Sequence, residues 1–145
     1  MENAKKLAVQ AAAKAELDEL RKRVATTIED AKTPGLSPEG RYVRAYDAVR
    51  QIATIAIRAS GRRVSAKVGH HAITFEALEA LDPATFATAA TFCDSARNKR
   101  NDLEYTAAVP PSETDSNELV KVAEALINDV EEWIVDNHPT LKRST

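Results

Sequence analysis

Residues 37–61, SPEGRYVRAYDAVRQIATIAIRASG, read as one helix with both ends marked. Ser37 offers a side-chain oxygen to the first free amides, and Pro38 supplies the fixed φ of a first helical position. Tyr42, Tyr46, Val49, Ala53 and Ala56 then recur three and four apart on one face, with Ile52 and Ile55 beside them. That is the period of a helix, not of a strand. Gly61 after Ser60 fits a left-handed C-terminal cap.

The same signals place helices on both sides. Leu17, Leu20, Val24 and Ile28 carry a helix from about Asn3 to Ala31, ended by Thr33-Pro34-Gly35. Its first 15 residues, rich in alanine and lysine, are expected to project from the fold or fray. Arg62 to Gly69 reads as a loop and Thr74 to Leu81 as a short helix. Asp82-Pro83 caps a helix whose stripe is Phe86, Ala89, Cys93, Ala96 and Arg100. After a loop over Thr106 to Ser116 with Pro110-Pro111, a last helix runs from about Asp115 to Asn137. It is built on Leu119, Val122, Leu126, Val130 and Trp133, and Pro139 stops it before a polar tail over 140–145. Short connections between long helices predict an all-α fold. The expectation is one domain over 1–145, an antiparallel up-and-down helical bundle of four long helices plus one short helix.

Composition narrows the class. Hydrophobic residues make up 43% of the chain, enough for a core, while only 5% are aromatic, which with abundant alanine favours close-packed helices. The lone Cys93 excludes an internal disulfide and a cysteine-rich zinc site, as expected of a cytoplasmic protein. No apolar run is long enough to cross a membrane, so no membrane partner is expected. Net charge is −2, but residues 41–71 carry seven cations against Asp47 alone, and residues 101–145 carry ten acids against three cations. The basic half would suit a polyanion; alternatively the halves neutralise each other within the fold or across a dimer.

The densest polar run is Ala96 to Tyr105, ARNKRNDLEY, at the end of the fourth helix. Arg97 and Arg100 lie three apart on one face, and Lys99 points elsewhere into solvent. The stripe changes from apolar to cationic, so the helix leaves the core and enters a polar groove or interface. The guanidinium fork suits phosphate. The structural alternative is that both arginines pair with carboxylates such as Asp47 or Glu104 and fix the packing. Asn101 and Tyr105, four apart, share a face. Arg62, Arg63 and Lys67 would serve as sequence-blind phosphate contacts or simply as a solvated surface. His70-His71 is not read as a metal site, because neighbours on a helix diverge by about 100° and no third ligand is near. One of them would close the entrance of the short helix or join the polar groove. No metal and no cofactor are expected.

Together, Ala45-Tyr46-Asp47-Ala48, Ala59-Ser60-Gly61-Arg62-Arg63-Val64, Gly69-His70-His71 and Arg97 through Tyr105 resemble the HEPN superfamily of helical domains. The likeness is to a bacterial subfamily of largely unassigned role and covers residues 37–137. It implies a homodimer with the motif helices of two subunits facing one another. It also implies RNA as ligand or substrate, and a toxin–antitoxin or phage-defence setting with an antitoxin or toxin as partner protein. The family's ribonucleases pair an arginine and a following polar residue with a histidine further along the helix. Arg100-Asn101 match the first half, but the histidine position falls on Tyr105, and no histidine lies between His71 and His138. Metal-free RNA cleavage needs a base for the 2′-hydroxyl, and tyrosine, with an ordinary pKa of about 10, is a poor one at neutral pH; Asp102 or Glu104 would be the carboxylate alternative, or simply solvated acids. The resemblance therefore gives Arg100, Asn101 and Tyr105 as catalytic candidates. It gives Arg97, Arg100, Arg62, Arg63, Lys67, His70 and His71 as nucleic-acid contacts. Three functional readings stand: an RNA-binding or ribonuclease-like protein; a non-catalytic module that binds a protein through its acidic last helix or alanine-rich first helix; and nucleotide or other small-anion binding at the arginine groove, which no glycine-rich phosphate loop supports.

Overall fold

A computed structural model describes the backbone of residues 2–62, 70–105 and 109–144, and the side chains of 14–62, 73–103 and 109–144. Five helices follow one another: α1 (Glu2–Ala31), α2 (Pro38–Ala59), α3 (His70–Leu81), α4 (Pro83–Tyr105) and α5 (Glu113–Asn137). A 3-10 turn, Pro139–Leu141, closes the chain. No strand occurs among the described residues.

The caps explain the boundaries. Ser37 Oγ accepts from the Gly40 amide at 3.0 Å. At the other end of α2, Gly61 takes φ +83°. The Arg62 amide reaches the Ile57 carbonyl and the Gly61 amide the Arg58 carbonyl, which is the Schellman pattern. Asp82 caps α4 by accepting from the Thr85 amide and hydroxyl. Helix α5 begins earlier than Asp115 because Ser112 is the N-cap: its hydroxyl accepts from the Asp115 amide while the Asp115 carboxylate accepts from the Ser112 amide. Helix α3 begins at His70 rather than Thr74.

Contacts between helices set their directions. Arg58 near the end of α2 meets Glu16 in the first half of α1, and the Thr27 hydroxyl meets Gln51, so α1 and α2 are antiparallel. The Ser116 hydroxyl donates to the Pro38 carbonyl, joining the starts of α5 and α2, which run parallel. Lys99 against Asp115 and Phe86 against Trp133 make α4 antiparallel to α5. The four long helices thus alternate up and down, as the sequence predicts, with α2 packed against every other helix.

Half of the residues in α2 are buried, including Ala45, Ala48, Ala53 and Ala56 with no exposure at all. These small side chains let α1 and α5 approach its backbone closely, while Val49, Ile52 and Ile55 fill the remaining space. Leu17 and Val24 of α1, Phe75 and Leu78 of α3, Phe86 and Cys93 of α4, and Leu119, Leu126 and Ile134 of α5 complete the core. Trp133 anchors one end, its ring edge-on to both Phe86 and His138.

Helices α1 and α5 are tied by a buried ion pair. Arg21 lays Nε on Glu131 Oε2 at 2.9 Å and Nη2 on Oε1 at 3.0 Å, and Glu131 is only 5% exposed. The same Nη2 donates to the Leu141 carbonyl at 2.7 Å. The segment over 140–145 is therefore more than a polar tail. Pro139 ends α5 yet opens a 3-10 turn that buries Leu141 in the core. Removing one partner of a buried pair leaves the other charge without compensation. Arg21→Met is expected to cost about 3 kcal/mol in urea unfolding, and Arg21→Met with Glu131→Leu to recover most of it. Equal losses in the single and double variants would show that charge compensation is not what this pair supplies.

Candidate anion site between α2 and α4

The α4 stripe behaves as its sequence suggests. Phe86, Cys93 and Ala96 are buried, Ala89 is half-buried against the core with Ala90 buried beside it, and the same face continues into half-buried Arg97 and Arg100. The Arg100 guanidinium carbon lies 5.5 Å from the centroid of the Tyr46 ring, a cation–π contact worth about 1 kcal/mol. Tyr46 is 1% exposed and meets Phe75 of α3 on another edge, with ring centroids 6.2 Å apart. Burial, with a smaller push from the Asp47 carboxylate, raises the Tyr46 phenol above its ordinary range, against the opposing pull of Arg50, Arg100 and Arg97. Tyr46 is thus a neutral platform with the Arg100 guanidinium over its ring and with Arg50, Arg97 and the Asp47 carboxylate within electrostatic reach.

The three arginines are held differently. Arg97 Nε donates to Asp94 Oδ1 at 3.0 Å, one turn back on its own helix. Arg100 is spread over Tyr46. Arg50 lies one turn beyond Tyr46 on α2, on the same face. Its Nε is closed off from solvent and has no hydrogen-bond partner, and no ion pair to it forms among the described residues. Arg50 was not singled out by the sequence reading. The available signal was its spacing of four from Tyr46.

The other candidates distribute as follows. Lys99 faces Asp115 at 3.5 Å and belongs to the α4–α5 seam, away from the arginines. Hydrogen bonds from the Ser112 backbone and side chain hold the Asp115 carboxyl below its usual range. Asn101 is half-buried and sits one turn after Arg97, so it shares that face more closely than Arg100's. Asp102 is exposed and two residues from Arg100, a spacing that puts it on another side of α4. Arg62 is exposed about three turns beyond Arg50 along α2, and its carbonyl accepts from Arg58. Arg63, Lys67 and the side chains of His70, His71 and Tyr105 lie outside the described residues.

Part of the basic stretch is consumed inside the fold. Arg41 donates to the Ala31 and Thr33 carbonyls and so caps the end of α1. Arg58 forms a two-pronged pair with Glu16. Two open clefts lie elsewhere, along α1 and α5. One, of about 790 Å³, has Ala25, Ile28 and Ile127 on its floor and Lys22, Glu29 and Glu124 on its rim. Among the described residues no group of His, Cys, Asp or Glu is arranged to hold a metal ion.

Cys93 has no exposure, and burial pushes its thiol up to about 12. It is a small core residue with no thiolate at neutral pH. Iodoacetamide is expected to leave it unmodified in the native protein and to label it fully in guanidinium, read by intact mass. Rapid native labelling would contradict the packing described for α4. No protein-family model, no curated protein and no solved structure matches this chain.

Proposed function

We propose that this chain is a HEPN-type helical protein of a toxin–antitoxin or phage-defence system that binds RNA through the α2–α4 arginine cluster. The observation carrying this reading is Arg100 lying over the ring of buried Tyr46, with Arg97 one turn before it on α4 and Arg50 one turn beyond Tyr46 on α2, where the sequence has its HEPN-like run. Guanidinium groups on rigid helices give phosphate a preorganised, charge-assisted site. Binding is favoured over cleavage. Tyr105 stands where the family's ribonucleases carry histidine, and Asp102 lies on another side of α4 from Arg100. Binding of this kind is sequence-blind and falls steeply with salt.

The test uses a fluorescent single-stranded RNA at low salt with EDTA present. Arg100→Met and Arg97→Ala are expected each to weaken binding about tenfold, uniformly across sequences, with no cleavage by the wild type. Arg97→Ala separates binding from folding, because that side chain pairs only locally with Asp94. Unchanged affinity in both variants would sink the assignment.

A second reading has its own support in the α1–α5 groove, whose apolar floor and charged rim suit a partner protein or a second copy in the expected homodimer. Ala25 is exposed on that floor, so Ala25→Glu would block docking without touching the core. If sedimentation shows a wild-type complex that Ala25→Glu abolishes, the groove is the working surface.

A further inference from the structure

The Arg50 side chain is an anomaly in an otherwise satisfied helix. It is half-buried, its Nε is shut away from water, and it has neither acceptor nor counter-ion among the described residues. The neighbouring arginines of α2 show the ordinary solutions: Arg41 takes two carbonyls and Arg58 takes a carboxylate. Of the two α4 arginines near the same tyrosine, neither can offer Arg50 an acceptor, and the Asp94 carboxylate is already taken by Arg97. A water molecule would satisfy a hydrogen bond but not the charge. Buried donors left open in a native fold call for an unseen ligand or ion.

We infer that Arg50 is a phosphate contact from α2, and that one phosphate group seats across the seam between Arg50 and the α4 arginines. The phosphate is taken to be a phosphodiester of the RNA backbone, so the inference rests on the RNA-binding reading and extends it to a second helix. Arginine suits this position because its planar fork can grip two phosphate oxygens while its stem packs against the bundle. A site shared by α2 and α4 fixes the direction in which the strand crosses the helices. The run on α4 alone does not.

Two variants test it. Arg50→Met keeps the apolar stem and removes the fork, and Arg50→Lys keeps the charge without the fork. In the Met variant RNA affinity is expected to fall about tenfold and the slope of log affinity against log salt to drop by about one contact, with partial recovery in the Lys variant. The melting temperature of Arg50→Met is expected to hold or rise by about 3 °C, since a buried unsatisfied group has gone. If the wild type binds RNA and both variants match it in affinity and slope, Arg50 is not a contact, though the RNA reading stands. Earlier melting in both variants marks Arg50 as scaffold and also overturns the inference. Inorganic phosphate forms the second arm. A wild type that ignores RNA but gains thermal stability from phosphate, lost in Arg50→Met, keeps the oxyanion site and rejects RNA as its source. No response to either ligand overturns both readings.

Discussion

The bundle depends on the burial of α2. Its neighbours pack on all sides of one helix, and this is possible because alanines alternate with β-branched residues around its circumference. A helix apolar over so much of its surface has to be surrounded. That constraint orders the rest. It sets α5 parallel to α2 through Ser116 and Pro38, puts α1 antiparallel to both, and leaves α3 and α4 to cover the remaining side. The candidate site is a by-product of this arrangement. Where the last apolar turns of α4 run out, Tyr46 of α2 offers a ring, and Arg100 settles on it.

Features governed by neighbouring residues were legible in the sequence. Ser37-Pro38, Gly61 and Asp82-Pro83 mark ends that depend on a few adjacent groups, and each sits where it was read. The start of α5 was misplaced because Ser112 and Asp115 are both good caps, and only the reciprocal bonds between them assign the roles. Leu141 looked like part of a polar tail because its neighbours are charged or hydroxylated. Its burial depends on Arg21, 120 residues away in sequence. Glu131 shows the same limit: between Val130 and Glu132 it reads as a solvated acid, yet it is among the few buried charged groups.

The site divides along similar lines. The shared face of Arg97 and Arg100 follows from helical spacing, and the shift from apolar to cationic character along α4 was visible at once. Arg50 was hidden among seven basic residues with similar local surroundings. What separates it from Arg41 and Arg58 is the partner that each finds across the bundle, a property of tertiary packing alone. The lopsided charge of the chain therefore has two origins: some basic groups hold helices together, and one, Arg50, has no ion pair among the described residues.

One side chain also links three elements into a single mechanical unit. Arg21 grips Asp18 within its own helix, Glu131 on α5 and the carbonyl of Leu141 in the terminal turn. Helices α1 and α5 otherwise touch sparingly and leave a groove between them. Their separation by local fluctuation would thus release the end of the chain in the same event. Amide hydrogens in the last turn of α5 and the first core turns of α1 then share one opening free energy, although they lie at opposite ends of the polypeptide.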